Sequence, residues 1–331
     1  MNEKIKWGII GPGRIARAFA EGLSYTSNAE LYGVASRTLQ RSKDFANEWS
    51  VPMAFGSYQE LAEEKSIDAI YVATPHSEHH DAALTCMRNR KAVLCEKPLA
   101  VNATQAFSMV QEAKKQEVLL MEGMWSRFPP LMEKVRQLVH EKVIGEIRLL
   151  QADFGFMPKD LDPAGRLFNP SLAGGSLLDV GIYPISFSSM LLGMPIDIET
   201  IATLGKTEVD EQASYLLKYE NGAHAMLHSS ICCETSQEAT IFGTLGSIRI
   251  HKQCWRPQKI TITNHSTEKQ EIIEMPFNGN GFNYEAESFS DLLLSDKKDS
   301  DIMPMQESLE IITLLDRIRE KWGLRYPFEK N

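Results

Sequence analysis

The sequence predicts an α/β chain in two halves: a parallel sheet covered by helices on both faces, then an α+β half with an open, mainly antiparallel sheet. Three observations carry that expectation. At 331 residues the chain exceeds what one ordinary hydrophobic core organises. Over the first 122 residues, short apolar strands alternate with helical patterns, the signature of a sheet with helices on both faces. Beyond residue 122, longer strands with partial alternation follow one another with few helices between them. The expected domains are therefore 1–122 and 123–331, and the boundary rests on the change of pattern.

The elements follow in order. The apolar run from Ile5 to Ile10 ends in Gly11 and reads as a buried strand. Helical spacing covers Arg14 to Leu23. Glu30 to Ala35 is a second strand and Arg41 to Trp49 a second helix. Ala69 to Ala73 and Ala92 to Cys95 are apolar strands, each followed by a helical stretch, and Val118 to Met121 closes the set. In the second half, the strands are Ile147–Phe156, Glu199–Leu204, Ala213–Tyr219, Ala223–Ser229 and Ser247–His251. Asn221-Gly222 between two of them is a hairpin signal. From Gln306 to Lys321, Leu309, Ile312, Leu315 and Ile318 recur at three-residue steps and define a helix.

Composition narrows the function classes. Hydrophobic residues at 43% and charged residues at 24% describe a folded globular protein. The net charge of −9 argues against a nucleic-acid partner or an anionic membrane surface. The N-terminal apolar run breaks at Gly11, too soon for a secretory signal, and no uninterrupted apolar stretch reaches a membrane span's length. Cys86, Cys95, Cys232, Cys233 and Cys254 form no C-x-x-C pair, so reduced, mostly buried thiols in a cytoplasmic protein are expected, with no metal site.

Gly11-Pro12-Gly13-Arg14-Ile15-Ala16 lies between the first strand and the first helix. The first glycine permits a tight turn, the second lets backbone approach a pyrophosphate, and Ala16 lets the helix pack close to the strand. The helix N-terminus then offers N–H groups and a positive dipole end. The second strand ends in Ser36-Arg37 where an NAD enzyme usually carries an acid for the ribose hydroxyls. Ser36, Arg37 and, one turn on, Arg41 suit a 2′-phosphate, so NADP is expected, with NAD possible. Arg37 and Arg41 equally fit ordinary surface cations at a helix start.

Other polar residues fall at carboxyl ends of expected strands, where ligands sit in such sheets. Thr74-Pro75-His76 follows one strand and Glu96-Lys97-Pro98 another. A lysine there holds a substrate hydroxyl or lowers the pKa of an acid beside it; a solvated surface cation is the plainer alternative. In Gly174-Gly175-Ser176-Leu177-Leu178-Asp179-Val180-Gly181-Ile182-Tyr183, Asp179 and Tyr183 are four apart and share a face if helical. An acid and a phenol there serve proton transfer. The spacing fits a helix cap and a core tyrosine as well.

Together, G-x-G-x-x-A, A-T-P-x-x-x-H, E-K-P and G-G-x-x-x-D-x-G-x-Y resemble the family of glucose–fructose oxidoreductase and inositol dehydrogenase (Gfo/Idh/MocA) over nearly the whole chain. Met124-Trp125-Ser126-Arg127-Phe128 and Gly323-Leu324-Arg325-Tyr326-Pro327 are similar to its dimeric dihydrodiol dehydrogenase and NADP-linked D-xylose dehydrogenase branch. The third position of Gly-Gly-Gly in the family is Ser176 here. The resemblance implies an N-terminal Rossmann domain and a C-terminal domain for substrate and dimerisation. It implies Lys97 beside nicotinamide and substrate, Tyr183 as proton donor or acceptor, and Asp179 as substrate contact. Thr74, Pro75, His79 and Glu96 match positions near the nicotinamide ribose, and Trp125 and Arg127 match a pocket wall that Phe154, Phe156 and Phe282 would extend.

The reaction so implied is hydride transfer between NADP and a carbinol carbon of a sugar or vicinal diol. Tyr183, acidified by Lys97, takes the hydroxyl proton. An NADPH-dependent reductase of a keto-sugar of anhydrofructose type is the alternative within the enzyme class; a non-catalytic NADP-binding regulator is another. Lys97, Asp179 and Tyr183 weigh against the regulator, which needs no proton-transfer groups. A homodimer or larger homo-oligomer is expected, because an open sheet with one uncovered apolar face seeks a partner.

Overall fold

The computed structural model describes residues 4–329. Among these residues the strands form two sheets. The chain divides into two compact units, Met1–Phe128 with Asn278–Ile312, and Pro129–Phe277 with Thr313–Asn331.

The first unit holds β1 (Ile5–Ile10), β2 (Ala29–Ala35), β3 (Met53–Phe55), β4 (Ala69–Val72), β5 (Ala92–Glu96) and β6 (Leu120–Gly123). All pair in parallel, in the order β3-β2-β1-β4-β5-β6. The helices are α1 (Arg14–Leu23), α2 (Leu39–Trp49), α3 (Tyr58–Glu63), α4 (His79–Arg88) and α5 (Ala103–Gln116). Strand order reverses between β1 and β4, the switch point at which such sheets bind ligands. The inner strands read as unbroken apolar runs because both faces are covered: β4 and β5 are buried throughout. An aromatic stack forms the centre. Phe19 lies 3.8 Å from Tyr71, and Trp7 packs at 5.2 Å from Phe19 and 5.1 Å from Phe289. Phe289 comes from a helix of residues 282–294 far downstream, whose Ser290 hydroxyl accepts from the Trp7 indole at 3.1 Å.

The second unit begins with α6 (Pro130–His140) and β7 (Ile147–Gly155), followed by α7 (Ile182–Leu192). Its sheet then adds β8 (Asp197–Leu204), β9 (Asp210–Lys218), β10 (His224–Ser230), β11 (Ala239–Gly243), β12 (Gly246–Ile250), β13 (Lys259–Asn264) and β14 (Gln270–Glu274). The order is β14-β13-β12-β11-β7-β10-β9-β8, antiparallel except for the parallel β7–β10 pair. Asn221-Gly222 turns β9 into β10, with Gly222 at φ 78° as a tight hairpin needs. Alternating burial along β9 and β10 shows one covered face and one open to solvent. The open face carries the exposed Ile201, and a groove of about 280 Å³ lined in part by Leu216 and Met226. Downstream come α8 (Phe282–Leu294), in the first unit, and α9 (Met305–Trp322).

The stretch Pro170–Leu192 is long and apolar enough to cross a membrane by length and composition, but 72% of its most apolar window is buried inside the protein, which makes it core. Of the five thiols, Cys86 and Cys95 are buried, Cys232 and Cys254 partly so, and Cys233 is exposed. The expectation of mostly buried thiols therefore fails in the second unit, where the Cys232-Cys233 pair sits in the loop leaving β10.

Candidate active site

In the first unit, the turn after β1 has the geometry of a dinucleotide cradle. Gly11 adopts φ +85°, and a Cβ there would meet the Ala73 carbonyl oxygen at 2.8 Å, so only glycine fits. Gly13 is extended at the start of α1, whose N-terminus is capped by no side chain. That leaves first-turn N–H groups for phosphate oxygens. Arg14 and Ile15 begin the helix, Arg14 exposed and Ile15 half-buried. At the end of β2, the buried Ser36 hydroxyl is taken up by Thr38, bonding its N–H and its carbonyl at 3.1 and 2.7 Å. The exposed Arg37 side chain pairs with Glu78 at 2.9 Å. Glu78 also accepts from the Tyr58 hydroxyl at 3.4 Å; burial and then the Glu78 charge push that phenol's pKa up. Arg41 stands exposed on α2.

The ends of β4 and β5 are braced by His79. Its ring nitrogens lie 2.8 Å from the Pro98 carbonyl and 3.0 Å from the Thr74 carbonyl. Burial pushes its pKa down to about 4, so the ring is neutral at pH 7 and donates one N–H. The Thr74 hydroxyl is buried with no partner among the described residues, a polar atom suited to a ligand beside the half-buried Pro75. Glu96 is buried against the Tyr71 hydroxyl, and Lys97, next in the chain, is half-buried. Glu122 accepts from the Leu99 N–H at 2.9 Å and so fixes the segment just after Lys97. Burial raises the Glu122 carboxyl to about 7. Trp125 stacks on Phe282 at 4.6 Å. Arg127 is buried, bound through both guanidinium arms to Glu307 at 2.7 and 2.9 Å. The sequence reading did not reach Glu78, Glu122, Glu307 or the buried Glu285, whose pKa is pushed well above the usual carboxylate range by burial and then by the Glu96 charge.

In the second unit, Asp179 and Tyr183 lie on one continuous helical stretch with a π-helical turn, Leu177–Gly181, leading into α7. Such turns are frequent at functional sites. The buried Asp179 carboxylate pairs with Arg166 at 2.6 Å. Tyr183, in the first turn of α7, packs 5.4 Å from Phe154, which stacks on Trp255 at 3.6 Å and lies 6.3 Å from Phe156. Phe154 and Phe156 rest on a buried cluster of Phe168, Val180 and Ile231. The arrangement sets a phenol beside an aromatic wall and an ion-paired acid. Arg166 and Trp255 escaped the sequence reading. Arg166 sits in an irregular loop without periodicity, and Trp255 in a Cys-Trp-Arg-Pro loop whose only signal was the large aromatic.

Residues 5–124 match the sequence profile of the oxidoreductase family with an NAD-binding Rossmann fold, and residues 132–249 match the GFO/IDH/MocA C-terminal domain. The trans-1,2-dihydrobenzene-1,2-diol dehydrogenase of Xenopus tropicalis is 37% identical over 97% of this chain and 99% of its own. The chain belongs to the Gfo/Idh/MocA oxidoreductase family. The Homo sapiens dehydrogenase of the same name is 34% identical over 98% of this chain and 99% of its own. The 3-ketoreductase of Actinomadura kijaniata, solved with NADP and TDP-benzene, superposes with a TM-score of 0.85 at 26% identity, covering 96% of this chain and 98% of that one. This Gfo/Idh/MocA member is thus an NAD(P)-dependent oxidoreductase with a nucleotide-binding Rossmann domain, as the motifs implied.

Proposed function

We propose that this oxidoreductase transfers a hydride between NADP and a carbinol carbon of a vicinal diol or sugar, of the trans-dihydrodiol or D-xylose type. The observation that carries the reading is the near full-length likeness to trans-1,2-dihydrobenzene-1,2-diol dehydrogenases, taken with the aromatic wall of Phe154 and Trp255 beside Tyr183. An apolar wall suits an unsaturated ring carrying two hydroxyls. The first unit, centred on 1–122, holds the cofactor, and the remainder holds substrate. Gly11, Gly13, Arg14 and Ile15 receive the pyrophosphate, Ser36, Arg37 and Arg41 the 2′-phosphate, and Thr74, Pro75, His79 and Glu96 the nicotinamide ribose.

Bound NADP supplies the hydride acceptor or donor. Lys97 hydrogen-bonds the reacting oxygen and Tyr183 exchanges its proton. Asp179, ion-paired with Arg166, orients the second hydroxyl. Trp125, Phe282 and Phe154 exclude water, while Arg127, tied to Glu307, holds the Trp125 turn. We further propose a cytoplasmic homodimer joined through the open sheet face, where Ile201 is 74% exposed. The 26% likeness to an NADP-bound 3-ketoreductase favours one second reading, keto-sugar reduction by NADPH.

The test is incubation with NADP⁺ and either trans-1,2-dihydrobenzene-1,2-diol or D-xylose, then with NADPH and a keto-sugar, following nicotinamide absorbance. Turnover of diol or xylose supports the first reading; turnover of the keto-sugar alone supports the second. None with any substrate, in protein that binds NADP⁺, returns the chain to the regulators.

A further inference from the structure

We propose that Asp210 and Tyr326 are positioning residues for the reaction, anchoring the Gly174–Leu177 turn that leads into the helical stretch bearing Asp179 and Tyr183. The inference rests on the roles just given to Asp179 and Tyr183.

The turn is tied at each of its residues, and three of the four ties are far away in sequence. The Gly174 carbonyl accepts from the Tyr326 hydroxyl at 2.7 Å. The Gly175 N–H donates to the Leu167 carbonyl at 2.8 Å. Ser176 donates to the Ser229 hydroxyl at 2.6 Å, itself bonded to the Tyr215 hydroxyl at 2.7 Å. The Leu177 N–H donates to Asp210 Oδ2 at 2.6 Å. Gly175 adopts φ +118°, and a Cβ there would fall 2.2 Å from Asp210 Oδ1. The glycine is what allows the carboxylate to reach beneath the turn. The motif's last glycine, Gly181, likewise leaves space that a Cβ would take at 2.8 Å from the Tyr215 hydroxyl.

Both anchors are fully buried. Taking a carboxyl out of water is unfavourable, and a buried one without a task is readily replaced by an apolar residue. Asp210 instead receives the first backbone N–H of the π-helical turn. Tyr326 is fastened in turn. Its N–H donates to Glu329 at 2.9 Å, Glu329 pairs with Arg319 at 2.8 Å, and the Arg319 guanidinium lies 5.0 Å over the Tyr326 ring. The C-terminal segment is thereby a clasp whose phenol ends on Gly174. Asp179 follows Leu177 by two residues and Tyr183 by six, so any shift of the turn moves both, and misplacements of about 1 Å cost turnover heavily.

The test uses Asp210→Asn, Asp210→Ala, Tyr326→Phe and Tyr183→Phe in the full chain. Hydrogen exchange over the 174–183 peptide, which needs no substrate, is read beside turnover of trans-1,2-dihydrobenzene-1,2-diol and calorimetric NADP⁺ affinity. In Asp210→Ala, exchange over 174–183 should quicken about tenfold or more and kcat fall by a similar factor. NADP⁺ affinity should stay within about twofold, because Asp210 lies in the substrate half. Asp210→Asn keeps an oxygen for the Leu177 N–H and should restore both readouts to within about threefold. Tyr326→Phe should quicken the same peptide. Unchanged exchange over 174–183 in Tyr326→Phe and in folded Asp210→Ala overturns the anchor. So does a kcat loss in Asp210→Asn as large as in Asp210→Ala, which would mean the charge and not the anchor matters. If Asp210→Ala fails to fold, Asp210→Asn and Tyr326→Phe decide. Full turnover in Tyr183→Phe would instead sink the site assignment, while the exchange data still judge the anchor.

Discussion

Replacing Arg37 by alanine tests the cofactor choice. A charge-assisted hydrogen bond from a guanidinium to a phosphate contributes about 1.5–3 kcal/mol. Arg37 is not idle without cofactor, however. It pairs with Glu78 at 2.9 Å, and its side chain is 69% exposed. Exposed pairs are worth about 0–1 kcal/mol, and this is lost when the guanidinium turns to a phosphate. The net contribution is therefore about 0.5–3 kcal/mol, so NADP⁺ should bind Arg37→Ala about 2- to 150-fold more weakly. NAD⁺, without the 2′-phosphate, should be nearly unaffected. Glu78→Gln releases the guanidinium and removes a carboxylate from the phosphate's surroundings, so NADP⁺ should tighten by up to about fivefold. Both effects should shrink with added salt. Calorimetric titration of wild type and both variants with each dinucleotide reads all of this. Equal loss for both cofactors in Arg37→Ala would make the arginine structural, and tighter binding of NAD⁺ by wild type would refute the reasoning about the end of β2.

Tyr183→Phe keeps the ring packed 5.4 Å from Phe154 and removes only the hydroxyl; turnover should fall about 100-fold or more with NADP⁺ affinity held, and steady-state kinetics check it. Lys97→Met should also lower turnover, and the double variant should lose less than the sum of the two, because the roles proposed for them put both on one oxygen. Glu122 is raised by burial from 4.5 to about 7, so the folded protein holds that proton more tightly than the unfolded chain. Its contribution is complete below pH 4.5 and is lost as pH rises through 7, about 3 kcal/mol in all. Urea unfolding from pH 5 to pH 8 should show Glu122→Gln losing less stability than wild type, and parallel curves would mean the carboxyl is not so shifted. His79 has the opposite sign, its stability present above pH 6.5 and lost as pH falls towards 4. Asp substitutions at Ile201 and Leu216 on the open sheet face should give a monomer by light scattering, and a wild-type monomer at micromolar concentration would remove the dimer altogether.

The nucleotide half was legible because its signals are local. The run Ile5–Ile10, the stop at Gly11 and the helix Arg14–Leu23 were read within a residue of their observed ends. The edge strand β3 has three residues, too few for any period. In the second half, the edge strand β14 is mostly exposed, so little apolar pattern marks it, while β13 carries only two buried residues, Ile260 and Ile262, in alternation with threonines. The helix α8 was missed because its buried face includes Asn283, Glu285 and Ser290, which mimic a polar stretch. At the site, motif residues were legible and their supports were not. Asp210 meets Leu177 across 33 positions and Tyr326 meets Gly174 across 152, with no spacing rule to link them. Arg166 stands 13 positions before its partner Asp179, in a loop that obeys no period.

The indole of Trp7 and the hydroxyl of Ser290 are 283 positions apart, yet both belong to the nucleotide-binding unit. A ribosome that has made β1 to β6 has therefore not yet made everything the unit's core requires. Until α8 emerges, Trp7 has neither its acceptor nor the Phe289 ring, and the aromatic centre stays open to water or to chaperones. Closing a contact of such span is slow compared with pairing neighbouring strands. The same fact limits engineering. A gene segment cut after residue 128 encodes a complete parallel sheet with an incomplete core, and a transplanted cofactor module would have to carry residues 278–312 with it. Exchange of domains between relatives is constrained likewise: a crossover placed at the apparent boundary leaves one parent's helix against the other parent's tryptophan.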